Sequence, residues 1–201
     1  MPPTGMDVTV TETKLEGLLV LEPRVFSDER GRFLETWKAE RYEALGISGP
    51  FVQDNVSVSE RGVLRGLHFQ NPTPQGKLVT VLHGSAYDVA VDLRVGSPTF
   101  GEWVGVELSA ESGRQMWIPG GFAHGLQALA HGTVFSYKCT ARYSPAEEHT
   151  VRWDDPALGI EWPLANPVVS RKDTAAPTLA ELANAALFDY HRGIHLVNES
   201  S

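Results

Sequence analysis

A single cysteine, Cys139, stands in the 201 residues, so no intrachain disulfide can form and packing alone must hold the fold. No apolar run approaches the roughly 20 residues needed to cross a bilayer; residues 18–21, Leu-Leu-Val-Leu, are among the longest. The opening MPPTGMDVTVTETK lacks both the basic start and the apolar stretch of a secretion signal, and a cytoplasmic protein is expected. Positive charge is scarce as well. Seventeen Lys and Arg stand against 25 Asp and Glu, and the net charge of −8 opposes attraction to nucleic acid or an anionic membrane. If the ligand is a phosphate ester, a few local arginines and lysines must hold it. No internal repeat or composition break divides the chain, and its length suits one domain over residues 1–201.

Turn formers are abundant: 19 glycines and 13 prolines punctuate short alternating or β-branched stretches. Those at residues 8–10, 18–21, 32–36, 56–59, 77–82, 86–93, 103–108, 116–118 and 134–140 read as strands. Their density between residues 50 and 145, with no useful helical period between them, predicts an all-β antiparallel sandwich or small barrel. The expected layout is N-terminal strands over about 8–36, a barrel core over about 50–153 and a C-terminal segment near 178–187. Short helices are predicted at the periphery, over 38–45 before Gly46 and over 178–187, where Thr178 and Glu181 form a capping-box pattern.

Two glycine–histidine spacings carry more information. Gly62 and His68 enclose five residues; Gly113, Pro119, Gly121 and His124 follow the pattern G-x5-P-x-G-x2-H. Both are the spacings of the paired cupin motifs, whose histidines point into a barrel mouth, so a cupin-type antiparallel jelly roll is expected. Metal-binding cupins add a second His and a carboxylate. Gln70 and Lys77 occupy those positions here. A protonated lysine has no lone pair to offer a cation and repels it, so no metal is expected; an ammonium there suits an anion such as an enolate oxygen.

The strings DERG at 28–31, QDN at 53–55, RGVLRGLHFQ at 61–70, IPGGFAHG at 118–125, YKCT at 137–140, WDDP at 153–156 and SRKD at 170–173 resemble the dTDP-4-dehydrorhamnose 3,5-epimerase family, over roughly residues 15–182. The resemblance implies an isomerase without metal or external cofactor, acting on a dTDP-sugar as a homodimer. It makes His68 the base beside the C4 ketone, Asp173 its partner, Lys77 the enolate stabiliser and Tyr137 the acid on the opposite face. It assigns substrate binding to Arg30, Phe33, Glu35, Gln53, Asn55, Arg65, His124 and Tyr143. The chemistry is coherent: a near-neutral base held in one tautomer by a carboxylate, with inversion requiring a second group opposite it. Arginine forks suit a diphosphate.

Bland readings stand beside these. A lone His or a strand Tyr is commonly structural, a Lys opening a strand is commonly solvated, and Arg32 reads as a turn charge. His83, His131, His149, His191 and His195 are read as surface or structural, and Trp37, Trp103, Trp117, Trp153 and Trp162 as core or interface area. Two other enzymes stay open: an epimerase inverting one carbon of an antibiotic sugar, and a metal-dependent cupin.

Overall fold

The computed structural model describes residues 7–47, 49–183 and 186–192. In chain order come β1 (Val8–Glu12), β2 (Leu19–Pro23), β3 (Val25–Asp28), β4 (Gly31–Leu34), α1 (Ala39–Ala44), β5 (Gln53–Ser59), β6 (Val63–Gln70), β7 (Lys77–His83) and β8 (Ser85–Asp92). Then follow β9 (Arg94–Val95), β10 (Trp103–Ser109), β11 (Gln115–Ile118), β12 (Phe122–Ala128), β13 (Thr133–Cys139), β14 (Glu148–Thr150), β15 (Val168–Val169), α2 (Arg171–Thr174) and β16 (Phe188–Asp189). Two sheets carry the fold: β1-β2-β11-β7-β13-β5, and β10-β8-β12-β6-β14 with β15 alongside β6. The chain is thus an all-β antiparallel jelly-roll barrel with short peripheral helices.

Alternation along the strands sorts side chains into three layers. Between the sheets lie Val79 and Val81 of β7, Ala86 and Ala90 of β8, Leu108, Met116, Phe122, Leu126 and Phe135, all buried. Behind the second sheet, Leu67, Phe69, Val89, Val91 and Ala123 meet Val151, Leu158 and Phe188, with Trp103 and Trp162 against them. Behind the first, Leu21, Leu78 and Trp117 are covered by Tyr42 of α1 and Ile47, with Trp37 and Phe51 packed alongside. Each such side chain withdrawn from water contributes about 1.5–3 kcal/mol. Tyr137 packs against the layer between the sheets and His124 stacks on Phe135 with ring centres 6.0 Å apart, so the polar groups of the barrel mouth rest directly on it.

All nine predicted strands form, with ends shifted by a few residues. Two long strands lack an expected counterpart: β6, interrupted by Gly66, and β12, in which all seven residues are buried. Covered on both faces, β12 has no polar side to alternate with, and in β6 a register shift breaks the alternation. The predicted helix over 38–45 forms as Ala39–Ala44, closed by Gly46 at φ +81°. The expected helix over 178–187 does not: the Thr178–Glu181 capping box is present, but the turn stops at Glu181 and Leu182 is extended. Its backbone is held elsewhere, Leu179 donating to Asp155 Oδ2 at 2.7 Å, while Leu179, Leu182 and Leu187 pack onto the second sheet. Residues 184 and 185 of that expectation lie outside the described residues.

One irregularity aims the site. His124 of β12 pairs with His68 of β6, yet Leu126 pairs with Arg65, so β6 carries one extra residue at Gly66. Strict alternation would send Arg65 and His68, three apart, to opposite faces; the bulge restores both to one face. Only glycine fits there. Gly66 sits at φ +124°, and a Cβ would lie 2.6 Å from Gly125 Cα and 2.8 Å from His124 O.

Candidate active site

The mouth of the barrel holds two cavities, of about 240 and 460 Å3, that share His68, Lys77 and Tyr137 in their walls. Gln53, Asn55, Gln70, Tyr143 and Glu148 line the smaller. Ser57, Arg65, His124, Lys172 and Asp173 line the larger. A hollow of about 630 Å3 between Trp117, Arg94 and Tyr190 shares none of these residues and has no histidine or lysine in its wall.

His68 and His124 come from the second sheet, Lys77 and Tyr137 from the first, so the titratable groups face one another across the cleft. His68 Nε2 donates to Asp173 Oδ1 at 2.6 Å. A carboxylate only accepts, so Nε2 carries the hydrogen and Nδ1 keeps the basic lone pair. Local sequence sets that partner in place: Ser170 caps α2 by accepting from the Asp173 backbone at 3.0 Å, presenting Asp173 to the cleft. Burial pushes the Asp173 carboxyl up, but His68, Ser170 and the Gly66 backbone outweigh it and hold the group below its ordinary range.

Lys77 is almost wholly buried, and no protein hydrogen bond to its ammonium forms among the described residues. Burial lowers its pKa, opposed by neighbouring Cys139, Asp88 and Glu148, of which the two carboxylates carry the charge at neutrality. A desolvated, unpartnered cation facing a cavity is ready for an anionic oxygen. Across from His68, the Tyr137 phenol is pushed up by burial, with Cys139 and Glu148 adding to the shift and Arg65 opposing it. It keeps its proton at neutrality. His124 Nε2 donates to Asp88 Oδ1 at 2.7 Å, a second His–Asp pair beside the first.

Gln70, at the second cupin-histidine position, is consumed structurally. Its amide donates to Thr73 O at 2.7 Å and Arg142 O at 3.1 Å, and its carbonyl accepts from Ser144 N at 2.8 Å. Gln53 Oε1 accepts from Tyr143 N at 2.8 Å, so the two glutamines fix the segment that carries Tyr143. Among the described residues no group of three or more His, Cys, Asp or Glu is placed to hold a metal ion.

Nine sequence-predicted residues therefore converge: His68, Asp173, Lys77, Tyr137, Gln53, Asn55, Arg65, His124 and Tyr143. Three do not. Arg30 and Phe33 line a groove on the separate β3–β4 hairpin, and Glu35 is ion-paired with Arg41 of α1. Ser57, Glu148 and Lys172 line the cleft and Asp88 lies buried behind it on His124; sequence reading passed over all four. Asp88 had left a signal, a carboxylate in the apolar run 86–93, and Lys172 lies within the SRKD string. Of the histidines set aside, His149 stacks on Phe69 with ring centres 5.2 Å apart and His131 pairs with Glu60. His195 lies outside the described residues.

Fold and cleft together define a cupin-type barrel protein whose cavity gathers His68, Asp173, Lys77 and Tyr137 on facing walls. The sequence model of dTDP-4-dehydrorhamnose 3,5-epimerase matches residues 12–181. The chain belongs to that family. It is 53% identical over 173 residues to the dTDP-4-dehydrorhamnose 3,5-epimerase of Salmonella typhimurium, covering 85% of this chain and 94% of that one. It is 42% identical over 175 residues to the dTDP-4-dehydrorhamnose 3-epimerase of Streptomyces niveus, covering 86% and 84%. The crystal structure of the Legionella pneumophila dTDP-6-deoxy-D-glucose-3,5-epimerase, in complex with dTDP-4-keto-L-rhamnose, superposes with a TM-score of 0.89 at 50% identity, covering 92% of this chain and 99% of that one.

Proposed function

We propose that the chain is a dTDP-4-dehydrorhamnose 3,5-epimerase, converting dTDP-4-dehydro-6-deoxy-D-glucose to dTDP-4-dehydro-6-deoxy-L-mannose without metal or external cofactor. The observation that carries this reading is the cleft itself, with His68–Asp173 on one sheet facing Lys77 and Tyr137 on the other. Hydrogens on C3 and C5 flank the C4 ketone. His68 Nδ1 removes one of them, the electron pair moves onto the C4 oxygen, and the Lys77 ammonium stabilises the resulting enolate. Tyr137 then delivers a proton from the other wall, inverting the carbon. Exchange with solvent resets base and acid before the second carbon reacts. Arg65 binds the diphosphate, Gln53 and Asn55 the nucleoside end, Tyr143 stacks on the base, and His124 contacts the sugar.

Arg30, Phe33 and Glu35 are read as serving the cleft of a second copy in a homodimer. Phe33 is 59% exposed on its hairpin, and Val56, Val58 and Leu82 form an apolar patch on the outer face of the first sheet near its free β5 edge. Such a patch on an edge strand suits a self-complementary partner. Light scattering tests it: a monomeric mass at micromolar concentration refutes the dimer.

Deuterium incorporation in D2O, followed by NMR on the dTDP-ketosugar, tests the reaction. Label should enter at both C3 and C5, and His68→Ala and Tyr137→Phe should each slow turnover by about 10²- to 10⁴-fold while dTDP binding barely moves. Failure to exchange at either position rejects the reading. The 42% identical relative that bears a 3-epimerase name keeps the single-carbon reaction as the second reading, and exchange at C3 alone would favour it.

A further inference from the structure

Two carboxylates of β8 share the inner face of the barrel and are treated differently. Asp92 is fully satisfied, taking Arg94 Nε at 2.9 Å, Arg94 Nη2 at 2.8 Å, Ser97 Oγ at 2.7 Å and Thr99 Oγ1 at 2.8 Å. Asp88 has no exposed surface, and only Oδ1 is bonded, to His124; Oδ2 is buried without a donor among the described residues. A half-satisfied carboxylate within an apolar layer is expensive, and an apolar residue would pack there at lower cost. A carboxylate so placed needs an opposite charge close by.

The neighbourhood supplies one. The Lys77 ammonium reaches the cavity without a protein hydrogen-bond partner among the described residues, and Lys77 shares that cavity's wall with His124, the residue that holds Asp88, so the two opposite charges act on each other through space. Around Lys77 stand Tyr137 and Cys139 of β13, His68 and Arg65 of β6, His124 of β12, Asp88 of β8, Glu148 of β14, and Lys172 and Asp173 of α2. Of the carboxylates, Glu148 accepts from Tyr143 and Lys172, and Asp173 from His68. Burial keeps the Cys139 thiol and the Tyr137 phenol in their neutral forms. Burial pushes the Asp88 carboxyl up, and it is His124 and Lys77 that oppose the loss of its charge, so carboxylate and ammonium hold one another ionised.

We propose that Asp88 is a positioning residue whose buried charge keeps the Lys77 ammonium protonated inside the barrel, with His124 clamping the carboxylate in place. The inference rests on the epimerase reading, in which that ammonium receives the enolate. The sign follows from the charges. Burial already favours loss of the lysine proton, and removing a nearby negative charge favours it further, so the enolate-stabilising form disappears at a lower pH.

Asp88→Asn tests this, because the amide oxygen still accepts from His124 and only the charge is lost. The basic limb of the kcat–pH profile should move to lower pH, with kcat at pH 8 down about 10- to 100-fold, recovery toward wild type near pH 6 and KM within about threefold; removal of the ammonium itself should cost about 10²- to 10³-fold at every pH. A loss equal at all pH values, or a basic limb left in place, overturns the proposal. Thermal melts of Lys77→Met and of the Lys77→Met/Asp88→Asn pair need neither substrate nor a stable single Asp88 variant. The double variant should melt above Lys77→Met, since it removes a charge left uncompensated. A double variant melting no higher overturns the pairing, whereas a wild-type enzyme inert in D2O defeats the epimerase reading alone.

Discussion

Replacing Gly66 with alanine should damage stability and substrate binding together, and the size of the effect can be worked out beforehand. Two glycines with positive φ on the same stretch make the comparison. Gly62, at φ +88°, has open space where a Cβ would project, so Gly62→Ala carries only the left-handed penalty of about 1–2 kcal/mol. Gly66→Ala carries that and a collision with backbone: the new Cβ would stand 2.6 Å from Gly125 Cα and 2.8 Å from His124 O. Neither atom can swing away as a side-chain end could, so strands β6 and β12 must separate, at about 1–3 kcal/mol for overpacking. Gly66→Ala should therefore lose about 2–5 kcal/mol, which for a chain of this size lowers Tm by roughly 4–20 °C, against roughly 2–8 °C for Gly62→Ala.

The functional half of the prediction comes from the bulge. Arg65 and His68 share a face only because β6 carries the extra residue at Gly66. Strands forced apart there misplace the arginine and the base at once, so KM for the sugar nucleotide should rise and kcat fall in Gly66→Ala, while Gly62→Ala keeps both near wild type. Differential scanning calorimetry and initial rates measure the two halves. Equal Tm losses in the two variants, or wild-type KM and kcat in a folded Gly66→Ala, refute the reasoning about the close approach.

Asp173→Asn should lower kcat by about 10²- to 10⁴-fold with little change in KM. Because the folded environment holds the Asp173 carboxyl below its ordinary value, its charge contributes stability that is complete above about pH 4 and is lost as pH falls through the folded value. The Tm gap between wild type and Asp173→Asn should accordingly be widest near neutrality and close in acid; a gap that widens in acid is inconsistent with the assignment. Gln70→Leu strands three backbone groups, those of Thr73, Arg142 and Ser144, for about 2–4 kcal/mol of stability. It should raise KM by loosening the Tyr143 segment while leaving kcat within about threefold, and proteolysis between residues 142 and 147 should quicken; unchanged KM would argue against a clamp.

How much was legible in the sequence follows from what each strand borders. Strands such as β5, with Gln53, Asn55 and Ser57 inward and Asp54, Val56 and Val58 exposed, alternate visibly. β12 is buried along its whole length, β6 opens to the cleft at Arg65 and His68 and changes phase at its bulge, and each contains a glycine that makes the other's close approach feasible. They hold His68 and His124, so periodicity hid the two strands that present the histidines while finding β7 and β13, which carry Lys77 and Tyr137. Motif spacing revealed those histidines because it registers loop and bulge geometry, which hydropathy does not. The helix expected over 178–187 failed for a different reason: local capping was read correctly, but Leu179, Leu182 and Leu187 gain more by packing on the second sheet than by continuing a helix.

Pairing of opposite sheets explains why this barrel suits inversion. In a jelly roll, inward side chains of two sheets meet across one cavity, so a base on one and an acid on the other flank a bound ring without any special loop. His68 and Tyr137 stand in that relation, and Lys77, in register with Cys139 on β13, lies beside the phenol on the same wall. In the proposed reaction a ketosugar held between the walls loses a proton from one face, and the planar enolate that results gains one on the other. A divalent cation at the Lys77 position would carry more charge but needs several protein ligands converging on one point, crowding the wall from which the phenol must reach the carbon. A single ammonium on a flexible stem leaves that approach open, at the expense of burying a lysine that needs a counter-charge. Asp88, on the facing sheet and out of the substrate's reach, meets that need without occupying the cleft.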